Sequence, residues 1–251
     1  RDALELASEV HALEAREGEK RTLRLSLPMN LNRVTLISQI MTYEDRHPDV
    51  RVEISADSGL PALIAGKTDV SLGSYYRPDP RLFALPAGIC YSFIMATKKY
   101  ERKYGLPETI EDLKHHTILL RYTQNLGYSN KLENGTETYY IDRGHRVQHG
   151  DAAACREMLL AGEGLAIDLT PGFVSDYLAS GFVFPVLKGW HREPWHYHVY
   201  CRAGSQDDKV LRELMAYVER GVFATFANQW QFWYGKLGIP MPEGFVPQSK
   251  S

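Results

Sequence analysis

Residues 23–54 read LRLSLPMNLNRVTLISQIMTYEDRHPDVRVEI, and their periodicity decides the fold. Leu23, Leu25 and Leu27 alternate with polar residues, the period of a strand. Pro28 ends that strand, because proline cannot donate to a ladder. Asn30 and Asn32 both suit a helix N-cap. Val34, Ile37, Ile40, Met41 and Tyr43 then recur at helical spacing. His47-Pro48-Asp49 stops the helix, since the residue before proline avoids helical dihedrals. Val50, Val52 and Ile54 form a second alternating strand. Two strands joined by a helical crossover run parallel. The turn after the first strand therefore lies at the carboxyl edge of the sheet, beside a helix N-terminus. Open α/β sheets bind ligands at that edge, and helix N-termini favour anions.

The stretch resembles the start of the effector-binding domain of LysR-type transcriptional regulators. Its ending, Tyr43 to Val50, fits that family's F-x-x-x-x-P-x-V pattern. Two further segments match in order. LIAGKTDVSLG at 63–73 is similar to the family's L-x-x-G-x-x-D-x-x-I segment, and DAAACREMLLAGEGLAIDLTPGFV at 151–174 to its helix, glycine turn, strand and second helix. The resemblance covers roughly Leu23–Gly221. It implies an α/β fold of two Rossmann-like subdomains hinged by two crossovers, like a type 2 periplasmic binding protein. Residues 21–95 and 202–227 would form the first subdomain and 96–201 the second, with crossings near Met95–Thr97 and Tyr200–Arg202. Residues 1–20 would end a linker helix that pairs subunits, and 228–251 would be an extension.

Composition bounds the function. The chain has 251 residues, enough for one large domain or two small ones. Its net charge of −2 supplies no basic field to recruit nucleic acid. Cys90, Cys155 and Cys201 are scattered and odd in number, which argues against a disulfide framework and suits a reducing cytoplasm. No apolar run approaches the ~20 residues of a membrane span. The first residue is Arg rather than Met, so the sequence reads as a fragment; the resemblance implies that it lacks the family's N-terminal DNA-binding head. Asp2–Glu19 carries a narrow, nearly heptad apolar stripe, which suits either a solvated helix on its own domain or a helix pairing with another chain.

The rest alternates in the same way. Leu60–Ala65 is a short helix closed by Gly66, and Val70–Ser74 a strand; Asp69 caps or bridges in the turn between them. Strands are expected at Leu82–Tyr91, Phe93–Thr97, Thr117–Tyr122, Tyr139–Asp142, Arg146–Gln148, Leu165–Leu169 and Trp195–Cys201. Helices are expected at Ile110–His115, Ala152–Ala161 with Asp151 as its cap, near Phe173–Leu178, and at Asp207–Arg220. The aromatic tail, with Phe223, Phe226, Trp230, Phe232, Trp233 and Tyr234, suits a helix or coil packed on the first subdomain or an exposed interface patch.

No catalytic pattern appears. Gly162-Glu163-Gly164 precedes a strand and lacks a third glycine, so it is a helix C-cap rather than a phosphate loop. There is no Gly-x-Ser-x-Gly elbow and no His-Glu-x-x-His motif. His196 and His198 share a strand face without an evident third ligand. The chain is therefore read as no enzyme, with no cofactor and no metal. What remains is a binding cleft where polar turns converge: Pro28, Met29, Asn30 and Leu31; Ser74, Tyr75 and Tyr76; Arg121, Tyr122, Thr123 and Asn125; and the edges at Asp151 and Thr170. Tyr91 joins them. With Tyr75, Tyr76, Tyr122 and Tyr128 it makes an aromatic wall or core packing, and Arg121 pairs with a ligand or simply ends a strand. Family members commonly carry Ser or Thr where this chain has Asn30.

The resemblance implies a small-molecule effector, anionic or aromatic, bound between the subdomains of a cytoplasmic homodimer or homotetramer. Helix Asn32–Glu44 and edge strand Val50–Ser55 would meet a partner's second subdomain. DNA would be contacted only through the missing head, and no membrane is involved. A solute-binding protein of a transport system shares the fold and is the alternative.

Overall fold

The computed structural model describes residues 20–28, 31, 34–56, 60–74, 79–122, 130–135 and 137–242. The opening stretch forms strand β1 (Arg21–Ser26), helix α1 (Val34–Arg46) and strand β2 (Val50–Ser55). β1 and β2 are parallel, with Leu23 beside Val52 and Leu25 beside Ile54. Leu23 and Leu25 point into the core. Between them Arg24 turns outwards and pairs with Asp69, whose carboxylate also accepts from the Arg24 N–H.

α1 departs from the single apolar stripe expected of it. Leu36, Ile40 and Tyr43 are buried, whereas Ile37 lies at the rim and Val34 (74 % exposed) and Met41 (60 %) face outwards. The apolar residues occupy two neighbouring rows of the helix, and spacing alone does not say which row meets the sheet.

After α2 (Leu60–Ile64), the strands β3 (Val70–Gly73), β4 (Leu82–Cys90) and β5 (Met95–Thr97) follow, then α3 (Lys98–Tyr104). Next come β6 (Thr117–Arg121), β7 (Lys131–Asn134), β8 (Glu137–Tyr140), β9 (Arg146–Gly150) and α4 (Ala152–Ala161). β10 (Leu165–Ala166), α5 (Ser175–Ala179), β11 (Val183–Pro185), β12 (Trp195–Arg202) and α6 (Lys209–Leu237) complete the order. One sheet has the order β2-β1-β3-β12-β4 and the other β11-β5-β10-β6-β9, with β7 and β8 as a separate hairpin. Along β6, Leu119 enters one core cluster while Ile118 and Leu120 enter another, so the second sheet is buried on both faces.

Several boundaries shift from the sequence reading. Ile110–His115 and Pro171–Val174 are 3-10 turns rather than α-helix; the first is held by a Thr109/Asp112 capping box. The expected strand Leu165–Leu169 pairs only over Leu165–Ala166. The return crossover lies at 186–194, ahead of Trp195, not at Tyr200–Arg202, because all of β12 pairs with β3 and β4 in the first sheet. Residues 195–201 thus belong with the first sheet. Gly162 does close α4, at φ +73°; a Cβ there would meet Lys99 Cγ at 2.9 Å and the Tyr100 nitrogen at 3.1 Å.

The largest departure is α6, which continues to Leu237 instead of stopping at Arg220. Gly221 looks like a stop signal but serves a close approach: a Cβ there would fall 1.8 Å from Gln39 Oε1 and 3.0 Å from Leu36 of α1. Leu211, Leu214, Met215, Val218 and Val222 pack in the first sheet's core, while Trp230, Trp233 and Tyr234 pack in a cluster with Tyr91, Leu119 and Cys155. The aromatic tail is thus a helix seated against both halves. The Lys188 ammonium fastens its end by donating to the Leu237 carbonyl at 2.6 Å.

Asp208 starts α6, accepting from the Val210 and Leu211 N–H groups and from the Arg21 guanidinium. The Arg21 hydrogen bond holds the Asp208 carboxyl below its ordinary range. A depressed folded pKa contributes stability that is fully present above the unfolded value and is lost as pH falls through the folded one. Asp208→Ala should therefore cost about 1 kcal/mol at neutral pH. The gap from wild type should close in strongly acidic buffer, as followed by urea titration. A gap constant down to acid pH would show that the ion pair contributes nothing.

Candidate functional site

Strand register places the two sheets edge to edge. β1, β2 and β3 are parallel, so their carboxyl ends at Ser26, Ser55 and Gly73 share one edge. β12 runs against both β3 and β4, so pairing of Cys90 with Trp195 puts the end of β4 and the start of β12 at that same edge. In the second sheet β6, β9 and β10 are parallel and end at Arg121, Gly150 and Ala166. Met95 of β5 sits beside both Ala166 and Pro185. Each crossover, 91–94 and 186–194, therefore runs from one carboxyl edge to the other. Ligands of open α/β sheets bind at such edges.

Of the residues proposed from sequence, Met29, Asn30, Tyr75, Tyr76, Thr123 and Asn125 lie outside the described residues, as does Tyr128. The others fall along these edges in differing roles. Pro28 is half-buried and Leu31 is part of the first core. Ser74 follows β3, half-buried. Tyr91 is buried against Trp230, with ring centres 4.7 Å apart, and burial raises its pKa. Tyr91 is thus engaged with α6. Tyr122 is exposed, its N–H bonded to the Gly150 carbonyl at 2.8 Å. Asp151 is exposed and caps α4 through the Ala154 N–H. Thr170 is buried at the start of the 171–174 turn.

Arg121 is the one at the centre of a cluster. Its Nε lies 3.7 Å from Asp168 Oδ2, and the same oxygen accepts from Arg192 Nη1. Both guanidiniums lie over the Trp195 ring, 4.4 Å and 5.2 Å from its centre. Relative exposures are 4 % for Arg121, 3 % for Arg192 and 0 % for Asp168. The cluster draws on both halves: Trp195 begins β12 of the first sheet, Arg121 and Asp168 belong to the second, and Arg192 rides on the return crossover. Two buried guanidiniums thus meet one carboxylate. Arg121 Nε, Asp168 Oδ1 and Trp195 Nε1 are also buried without hydrogen-bond partners, and each such group costs about 1–3 kcal/mol.

Asp168, Arg192 and Trp195 were missed from sequence. The available signal was a single charge inside the apolar run LAIDL. A buried charge needs a partner, but nothing local names Arg121 and Arg192.

Between the start of α1 and the 172–177 segment is a hollow of about 350 Å³, walled by Leu31, Val34, Arg156, Phe173 and Tyr177 among others. A second space, beside Cys90, Thr170 and Trp230, is about 10 Å³, room for one water at most. Burial pushes the Cys90 and Cys155 thiols up to about 12, so neither is a nucleophile at neutral pH. All three cysteines are unpaired and buried. His196 is exposed and His198 half-buried, and among the described residues no three His, Cys, Asp or Glu groups are placed to hold a metal. Among the described residues no helix is long and apolar enough to cross a membrane.

Two mixed α/β sheets with facing carboxyl edges, joined by two crossovers around buried polar groups, define a two-lobed ligand-binding domain of the periplasmic-binding-protein kind. The chain belongs to the LysR substrate binding domain family, whose pattern it matches over residues 16–222. It is 27 % identical over 197 residues to an HTH-type transcriptional regulator of Xanthomonas campestris pv. campestris, covering 76 % of this chain and 56 % of that protein. It is 25 % identical to the uncharacterized HTH-type transcriptional regulator YcaN of Escherichia coli, covering 80 % of this chain and 66 % of that one. The chain thus spans between about half and two thirds of these relatives. Among solved structures, the regulatory domain of CrgA, a LysR-type regulator from Neisseria meningitidis, superposes with a TM-score of 0.65 at 20 % identity, covering 80 % of this chain and 98 % of that one. The regulatory domain of AphB in Vibrio vulnificus gives 0.61 at 20 % identity, with the same coverages. These relatives are regulators, not enzymes, and a transport receptor is the less favoured reading.

Proposed function

We propose that this domain senses a small anionic or aromatic effector between its two sheets and passes the signal to a DNA-binding head elsewhere in a cytoplasmic regulator. The observation that carries this reading is the buried charged cluster where the two carboxyl edges meet. A ligand touching both edges stabilises one relative arrangement of the halves over others, which is the physical content of an allosteric signal. The polar turns at 28–31, 74–76 and 121–125, with Asp151 and Thr170, are the proposed lining. A thermal-shift screen of small metabolites tests the reading, because a ligand of the native state raises the melting temperature by mass action. No shift from any chemical class at hundreds of dissociation constants' worth of compound would sink it. The chain as given should also give no tight, sequence-specific gel shift with DNA.

The same reading includes a homodimer or homotetramer. Its support is the outward row Val34, Ile37 and Met41 on α1, next to β2, which is an edge strand of the first sheet. The partner surface would be the second subdomain of another copy. Met41→Glu should weaken self-association at least about tenfold, since it places an unpaired charge in the contact. Sedimentation equilibrium that does not change with this substitution would move the contact elsewhere.

A further inference from the structure

We infer that the end of α6, with the residues up to Ile239, is a built-in clasp that closes over both crossovers at once. It holds the two halves in one arrangement with no ligand bound, and the halves part only when it lifts as a unit. The clasp belongs to the chain itself, so it stands or falls independently of the sensing role proposed above.

The first observation is where α6 packs. Its first half lies in the first sheet's core, through Leu214, Met215 and Val218. Its end lies in the other cluster, where Trp230, Trp233 and Tyr234 join Leu159, Val174 and Leu178 of the second half. α6 is thus a third link between the halves, beside the two crossovers, and its far end is held by packing and hydrogen bonds alone.

The second observation is what that end touches. The Tyr234 hydroxyl donates to the Ser92 carbonyl at 3.1 Å, and the Tyr234 ring meets Phe93 edge-on with centres 5.6 Å apart, both on the 91–94 crossover. On the 186–194 crossover, the Lys188 ammonium donates to the Leu237 carbonyl. The crossovers also bond to each other, the Val186 N–H donating to the Ile94 carbonyl at 2.9 Å. Gly238, at φ +60°, turns the chain so that the Ile239 N–H reaches the Tyr234 carbonyl, and Ile239 is buried in the same cluster. Connecting segments of this kind absorb the dihedral changes when a two-lobed domain opens. Here both are tied to one helix end, so neither bends freely while that end is seated. Release has a natural starting place. Where α6 passes from one core to the other, Thr225 Oγ1 is buried without a hydrogen-bond partner, beside the space of about 10 Å³. Packing is incomplete there, which lets the segment beyond it lift as one piece.

The test measures the distance between the halves in the full chain. Cys90, Cys155 and Cys201 are buried, so spin labels go to Ala203→Cys on the first half and Glu163→Cys on the second, both exposed positions. Dilution with unlabelled protein keeps the measured distance within one chain. Pulsed electron paramagnetic resonance should give one narrow distance for the otherwise unaltered protein. Trp230→Ala should add a second, longer one. Lys188→Met with Tyr234→Phe removes both polar ties and keeps every aromatic ring, so it serves if Trp230→Ala fails to fold. Each lost bond is worth about fivefold in an opening equilibrium. Hydrogen exchange at amides 91–94, 186–190 and 230–239 should therefore speed up together, about 25-fold in the double variant. Phe232→Ala, on the exposed side of the helix end, should change neither measurement. An unchanged distance in folded Trp230→Ala overturns the clasp, as does exchange in the double variant within about twofold of the unaltered protein. Faster exchange at 230–239 without the crossovers also overturns it, because the end would then fray without freeing the halves.

Discussion

Asp168→Ala should lower the free energy of unfolding by about 3–5 kcal/mol, the range seen when one partner of a buried ion pair is removed. The side chain is fully buried, and two arginines depend on it. Without the carboxylate, the Arg121 guanidinium remains beneath the surface over the Trp195 ring, and Arg192 loses its charge-assisted bond. A cation over an aromatic ring recovers a fraction of that loss, about 2 kcal/mol when desolvated. The loss is large beside the 5–15 kcal/mol that holds a typical domain folded. Urea denaturation of the wild type, Asp168→Ala and Asp168→Asn measures it. The asparagine variant should lie between the other two, because it keeps an acceptor but not the charge. A loss under about 1 kcal/mol for Asp168→Ala would mean that the arginines swing out to water at little cost.

Trp230→Ala should cost about 3–5 kcal/mol, for a different reason. Its ring is buried and packs on Tyr91 and Tyr234, with centres 4.7 Å and 5.4 Å away. Removing it takes away apolar burial and leaves a cavity that Tyr91, fixed on the crossover, cannot readily fill. Phe232, on the outward side of the same turn, is the control. Phe232→Ala should change stability by no more than about 0.5 kcal/mol. Equal effects of the two substitutions would show that the aromatic end of α6 is not seated as described. Guanidinium titrations of both variants decide between these outcomes.

The opening strand–helix–strand unit was legible because its cues are local: alternation, a proline stop and a helical repeat lie within 32 residues. The facing edges followed from that unit, since parallel pairing fixes where strand ends lie. The outward row of α1 was not legible, because Val34 and Met41 are as apolar as the residues that face the core. The length of α6 was obscured by Gly221, a stop signal in isolation but a point of contact once α1 lies against it. Within the site, Arg121 could be read from its place at a strand end. Asp168 and Arg192 could not, because they are 24 residues apart and meet only through the folded crossover.

Helix α6 has 29 residues and is therefore about 43 Å long. One end is moored to Arg21 and α1, and the other to Tyr91, Ser92 and Lys188. The residues beyond Val222 lie past the segment matched to the family, and the second mooring falls among them. An α-helix bends under load but scarcely stretches, since its hydrogen bonds run along its axis. Parting the two sheets must either bow this rod or unseat its aromatic end. Torsion about the rod's own axis does neither, which makes a twist of one half against the other the softest motion left to the molecule.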